Sequence, residues 1–343
     1  MSALVQMTPM RRVSGPEAHD GETMLDQFSR FLEHRTGAWE HLPPLVRAQL
    51  RGGKRLRARV LFALAPATTP AGRELLIRAA AAVELVHAGS LLHDDIVDHA
   101  ERRRGHCTAH RIYGERFATR AGTLVMTEAT LLFTGLPAAA RAAFARAACA
   151  ASQGQLTEIA RTADPRLGVR ERLQIMDGKT AVIFRLAATL GALLGGATPS
   201  GVRASAAVGR WFGLLFQLAD DVEDLCAPRE ALGRAPGSDL RGGIVTLPVV
   251  FLVEALGPAG FEAACALARQ AEDPSATRRL CALFAGAGAF ERTRALARRW
   301  LGRIEYIIGD LPPGTGRRWI LELARQVERA MVERLERVDG GHE

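Results

Sequence analysis

Apolar positions recur at three- and four-residue spacing along almost the whole chain, as amphipathic helices require. The periodicity predicts helices over about residues 22–36, 54–66, 71–100, 108–134, 137–163, 169–195, 201–226, 246–256, 260–271, 275–308 and 317–338. Breakers fall between them: "APATTPAG", "GLP", "TADPRLG", "GGATPSG", "GRAPGSDLRGG", "GPAG" and "DLPPGTG", rich in the residues that end helices. There is no strand alternation, no repeat of fixed period and no linker long enough to divide the chain. The expected fold is all-α, a single-domain bundle of ten or more helices. Several helices are apolar nearly all round and belong at the centre. Residues 1–20 are polar with Gly and Pro, and are expected to be disordered ahead of a helical domain over 21–343.

Composition sharpens this picture. Of 343 residues, 48% are hydrophobic, enough for a large core, while aromatics are only 6%. A mix dominated by Ala and Leu favours helix over strand. The net charge of +8 suits nucleic acid, anionic lipid or small anionic substrates. No Lys/Arg tract interleaves with aromatics, so no nucleic-acid partner is expected. Five cysteines without C-x-x-C spacing suggest reduced thiols and a cytoplasmic protein. The N-terminus lacks a signal pattern. No run approaches the roughly 18 apolar residues of a membrane span, so no transmembrane segment is expected.

The chemistry begins at "LLHDDIVDHAERRRG", residues 91–105. Asp94 and Asp98 share a helix face, with Asp95 beside them and His87 two turns earlier. Their neighbours Leu85, Val86, Leu91, Leu92, Ile96 and Val97 call for burial. Buried like charges repel unless something pairs them. A hard divalent cation such as Mg²⁺ would do so. A helix ending in solvent explains the segment equally well when it is taken alone. However, "FGLLFQLADDVEDL", residues 212–225, repeats the pattern with Asp220, Asp221 and Asp224, and with Gln217 and Gly213 on the same side. Two such clusters are far less expected by chance than one. They point to a cavity in which shared Mg²⁺ ions hold a polyanion, with diphosphate the obvious candidate.

Cations are placed to help. "GGKRLRAR" supplies Lys54, Arg55 and Arg57 near a helix start, where backbone N–H groups favour phosphate; a solvated basic turn is the plainer alternative. Arg103 and Arg104 follow the first aspartates. Lys179-Thr180 opens the apolar helix "DGKTAVIFRLAATLGALLGG". Alone, Lys179 is an ordinary helix-start lysine; beside two carboxylate triplets it becomes a third phosphate ligand.

These segments together resemble the trans-isoprenyl diphosphate synthases, or polyprenyl synthetases. "GGKRLR", "ELVHAGSLLHDDIVDHAERRRG", "GKTA", "FQLADDVEDL" and "GSDLRGGIVTLP" occur in that family's order and approximate spacing. The resemblance implies a helical bundle around a deep central cavity, Mg²⁺ as cofactor, and isopentenyl diphosphate and an allylic prenyl diphosphate as substrates. It implies a homodimer, with a heteromer as the alternative assembly. Asp94, Asp95 and Asp98 match the first aspartate-rich motif, and Asp220, Asp221 and Asp224 the second. Arg103, Lys179 and Gln217 match positions that touch the allylic substrate, with Thr180 alongside. Lys54, Arg57, His87 and Arg104 match those that hold isopentenyl diphosphate.

The sequence also departs from the family. Ala58 stands in place of a frequent Pro, and Thr123 follows Gly122 in place of an Asp. Arg234 replaces a usual Lys and keeps the charge, whereas Ile244 replaces a second Lys and does not. The family sets product length below the first motif. Gly89 and Ser90 are small there, which implies an open floor and a product of C20 or longer; helix packing at Gly89 is the alternative. A terpene cyclase on the same fold is disfavoured by Lys54, Arg57 and His87, which suit a second diphosphate. A non-catalytic subunit is disfavoured by two intact aspartate motifs.

Overall fold

The structure, a computed structural model, describes residues 23–66, 69–103, 106–227, 235–311 and 315–339. The expected disordered segment 1–20 therefore lies outside the described residues. The chain runs through α1 (Met24–Gly37), α2 (Pro44–Arg51), α3 (Leu56–Ala63), α4 (Pro70–Val97), α5 (Ala109–Tyr113), α6 (Glu115–Thr134), α7 (Ala138–Ala160) and α8 (Val169–Met176). A single π-helical turn, Asp177–Ala181, leads into α9 (Val182–Leu194). Then come α10 (Pro199–Cys226), α11 (Ser238–Arg241), α12 (Leu247–Arg269), α13 (Pro274–Gly286), α14 (Ala289–Ile308) and α15 (Thr315–Asp339). Two two-residue strands, Arg102–Arg103 and His106–Cys107, pair antiparallel after α4. The all-α expectation holds.

Two helices organise the molecule. α4 and α10 are each 28 residues long, or about 42 Å. Both start the same way. Thr69 precedes Pro-Ala-Gly and Thr198 precedes Pro-Ser-Gly, and each hydroxyl accepts from the glycine amide three residues on at 3.2 Å. This caps the first turn, where proline is also tolerated. Each helix carries its aspartate motif near the opposite, C-terminal end. There the helix dipole is negative, so an acidic cluster needs a cation to be stable. α4 packs chiefly on α6 and α9, and α10 on α9, α14 and α15. α9 is buried over most of its length.

The boundaries differ from expectation where single residues break the periodicity. Gly114 at φ +83° divides α5 from α6, and Gly288 at φ +69° divides α13 from α14. Both φ values favour glycine. Conversely, residues 247–269 run on as one kinked element across Gly257 and Pro258. α4 and α12 are long and apolar enough to cross a membrane by composition, a correction to the expectation that no segment would be. α4, however, is buried among α1, α3, α6 and α9.

Candidate active site

The first motif closes α4. Asp95 is buried and is gripped by Arg103 on the adjoining strand, whose Nε donates to its Oδ1 at 2.8 Å. The Asp95 carbonyl also accepts from Ala100 N at 2.9 Å, which turns the chain back toward the site. Burial pushes the Asp94 carboxyl up to about 6; Asp98 adds to the rise, and Lys179 and Arg103 oppose it. Lys179 is thus within electrostatic reach of the first motif.

Lys179 owes that position to the π-helical turn. Such turns widen a helix by one residue and recur at functional sites. Here the turn is wedged between two helices. A Cβ on Gly154 of α7 would lie 2.7 Å from Lys179 N, and one on Gly213 of α10 would lie 2.6 Å from the Ala181 Cα. Neither position has room for a side chain. The close approach brings Lys179 to Glu158 of α7 and Thr180 to Gln217 of α10.

A closed ring of polar contacts follows. Lys179 Nζ donates to Glu158 Oε2 of α7. Glu158 Oε1 accepts from Arg172 of α8 at 2.8 Å. Arg172 lies 3.7 Å from Asp221 Oδ2, whose Oδ1 accepts from Gln217 Nε2 at 2.7 Å. Gln217 Oε1 accepts from Thr180 Oγ1 at 2.6 Å, next to Lys179 in the chain. Burial pushes Glu158 upward, but Lys179 and then Arg172 outweigh it and hold it below the ordinary carboxylate range. Asp221 behaves in the opposite way. Burial pushes it up to about 6 against the pull of Arg172 and Gln217, and its Oδ2 has no hydrogen-bond partner. Glu158 acts electrostatically on Asp94, Asp98 and Asp221. Both motifs therefore converge on Glu158.

Other expected residues sort differently. Asp220 is exposed beside Asp221. Asp224, expected as a metal ligand, accepts instead from Ser238 Oγ at 2.5 Å and Asp239 N at 3.0 Å, so it braces the start of α11. Among the described residues no three His, Cys, Asp or Glu side chains gather closely enough to hold a metal ion by themselves. Arg104 and Arg234 lie outside the described residues.

A narrow cleft is lined by Gly52, Arg55, Glu84, His87, Asp95 and Arg103, among others. It joins the basic turn to the first motif. Arg55 lines it, whereas Lys54 and Arg57 do not; the Arg57 guanidinium stacks over Phe184 at 4.8 Å. The turn is held by Glu84 of α4, which accepts from Ala58 N at 3.1 Å. It thereby caps α3 from another helix, since Arg55, in the left-handed region at φ +53°, offers no side-chain cap of its own.

Gly89 faces α6 rather than open space. A Cβ there would lie 2.8 Å from Met126 Cγ and 3.0 Å from the Gly122 carbonyl. The open floor expected at Gly89 is therefore filled by helix packing, while Ser90 is half-buried and donates to the His87 carbonyl at 2.9 Å. Thr123 is exposed and donates to Thr119 O at 2.9 Å; nothing else in the structure explains its place.

Glu84, Glu158 and Arg172 are the residues missed by sequence reasoning, whereas Arg55 is already a candidate in the basic turn. Only Glu84 left a signal, as a carboxylate inside the apolar run "AAAAVELV".

The polyprenyl synthetase profile matches residues 40–283. A geranylgeranyl diphosphate synthase of Methanosarcina mazei is 34% identical over 244 residues, 66% of this chain and 75% of the relative. Heptaprenyl diphosphate synthase component 2 of Geobacillus stearothermophilus is 31% identical over 275 residues, 80% and 84% of the two chains. A polyprenyl synthase from Caulobacter crescentus CB15, solved in complex with calcium and isoprenyl diphosphate, superimposes with a TM-score of 0.78 at 28% identity, over 91% of this chain and 95% of that one.

Proposed function

The chain belongs to the polyprenyl synthetase family and is a prenyltransferase, and on that premise we propose that it condenses an allylic diphosphate with isopentenyl diphosphate to give a product of C20 or longer. The observation that carries this reading is the convergence of two aspartate motifs and Lys179 on one ring around Glu158, adjoining a cleft that carries Arg55, His87 and Arg103. Two anionic substrates need two such places.

The donors fit Mg²⁺. They are carboxylate oxygens, one of them, Asp221 Oδ2, buried without a hydrogen-bond partner; a hard ion that keeps waters and phosphate oxygens suits this set. Asp94, Asp95, Asp98, Asp220 and Asp221 would hold it, with Asp224 supporting from behind. Bound there, it supplies positive charge against the departing diphosphate.

The chain's own groups do the rest. Lys179, Arg103, Gln217 and Thr180 would orient the allylic diphosphate, and Lys179 and Arg103 would stabilise it as the C–O bond breaks and its electron pair leaves with the phosphate. Arg55, His87 and Arg103 line the cleft that would take isopentenyl diphosphate, and the resemblance adds Lys54, Arg57 and Arg104 as its further ligands and Arg234 as a ligand of the allylic diphosphate. The isopentenyl double bond then attacks the allylic carbon, and the released diphosphate takes the proton lost in closing the new alkene.

Residues 21–343 would act as one domain in a cytoplasmic homodimer. Exposed Leu131 of α6 and Leu156 and Ile159 of α7 offer apolar surface to a second copy. A heteromer is the alternative, since one relative is named as a component.

Diphosphate release tests the reading. It should require Mg²⁺ and both substrates together. Release from the allylic diphosphate alone, with a hydrocarbon product, would select a cyclase instead.

A further inference from the structure

The ring contains more cations than its substrate contacts require. Arg172 is 3% exposed, too deep to touch a ligand in the cleft. It sits among three carboxylates, Glu158, Asp221 and Asp239. Its nearest is Glu158 at 2.8 Å; Asp221 is farther, at 3.7 Å. Lys179 likewise has Asp94 and Asp98 within electrostatic reach but binds Glu158. Arg172 and Lys179 therefore both make their direct hydrogen bond to the same carboxylate, Glu158, and leave Asp221 at longer range, whereas Arg103 stays on Asp95. The consequence is visible at Asp221. Its Oδ2 is buried and accepts no hydrogen bond, although a guanidinium lies nearby.

From this geometry we infer that Glu158 is a positioning residue that draws Arg172 and Lys179 off the two aspartate motifs and so keeps the carboxylate oxygens open for divalent cations. The inference rests on the metal-dependent reading above. A buried guanidinium must be paired. Without Glu158 its remaining strong partner is Asp221, and a 3.7 Å separation closes to a direct ion pair with a small side-chain movement. Arg172 would then occupy the oxygen that a metal needs. Lys179 would turn to Asp94 for the same reason. Glu158 thus controls metal affinity without touching the metal.

The role differs from that of a structural salt bridge in one respect. If Glu158 and Arg172 merely hold α7 and α8 together, removing Arg172 alone strands the Glu158 charge and weakens the site. If Glu158 restrains Arg172, removing Arg172 as well undoes the damage.

The test uses the full chain and Mn²⁺ as the spin probe for Mg²⁺, titrated with inorganic pyrophosphate present and read as free Mn²⁺ by electron paramagnetic resonance. Glu158→Gln keeps shape and hydrogen-bonding capacity and should raise the Mn²⁺ midpoint about ten-fold, as outer-sphere changes do. Arg172→Met, long and uncharged, should not raise it. The double variant should return to within about three-fold of the parent, well inside that ten-fold loss. A double variant as weak as Glu158→Gln or weaker, an unmoved Glu158→Gln midpoint, or a weakened Arg172→Met would each overturn the inference. Should Glu158→Gln fail to fold, shown by circular dichroism, Arg172→Met alone still decides through the direction of its shift. A parent protein that binds no Mn²⁺ with pyrophosphate would instead contradict the metal-dependent reading itself.

Discussion

Replacing Glu84 separates the two substrate sites most cleanly. The side chain is 5% exposed and does two jobs. Its Oε1 caps Ala58 N at 3.1 Å, and its Oε2 lies 3.7 Å from the Arg55 guanidinium. Glu84→Gln keeps the first contact through an amide oxygen and loses the second. Breaking a buried ion pair costs about 3–5 kcal/mol at full strength. The 3.7 Å separation and the 13% exposure of the Arg55 side chain argue for less, about 2 kcal/mol, in the range of a hydrogen bond to a charged group. Glu84→Leu also strands the Ala58 amide at the start of α3 and should lose about 1–3 kcal/mol more. Urea midpoints at constant slope would order the three proteins parent, Gln, Leu. The functional effect should be one-sided. The basic turn and its cleft depend on Glu84, whereas the Lys179 ring lies on other elements. KM for isopentenyl diphosphate should rise about ten-fold in Glu84→Gln, equivalent to 1.4 kcal/mol, with the allylic KM unchanged. Equal rises in both constants, or none in either, would refute this assignment of the cleft.

Other perturbations probe the rest. Asp94→Ala or Asp220→Ala should lower kcat at least about a hundred-fold while the unfolding midpoint stays near that of the parent; full turnover in either would remove that aspartate from the site. Gly89→Phe drives a ring into the Gly122 backbone and Met126, and should destabilise by about 1–3 kcal/mol. A variant as stable as the parent that makes shorter products would restore the open-floor view of this position. Asp94 and Asp221 are raised to about 6, so the folded protein binds more protons than the unfolded chain between about pH 4 and 6. Metal-free stability should therefore fall as pH rises through that window, and Mg²⁺ should stabilise more at pH 7 than at pH 5, because it binds the ionised carboxylates. Scanning calorimetry with and without Mg²⁺ at both pH values checks the sign; a larger Mg²⁺ effect at pH 5 would contradict it.

Much of this was legible from residue spacing. Apolar periodicity gave the long helices, and the T-P-x-G starts of α4 and α10 place both aspartate motifs at far helix ends. α2 escaped notice because eight residues, Pro44–Arg51, barely establish a period. The ring escaped for a different reason. On their own helices Glu158 and Arg172 look like solvated charges. They become buried partners only because Gly154 lets the π-helical turn approach α7 to backbone contact, a tertiary event that no local pattern encodes. Gly89 shows the converse. Its small size is plain in the sequence, but whether that space holds a ligand or a neighbouring helix depends on Gly122 and Met126 across the contact.

The most direct test is product sizing. Purified protein with Mg²⁺ and labelled isopentenyl diphosphate would be offered C5, C10, C15 and C20 allylic diphosphates in turn, and the products separated by chromatography. The account predicts stepwise incorporation into a ladder ending at C20 or longer, abolished by chelation. No incorporation with any primer, or products stopping at C15, would contradict it.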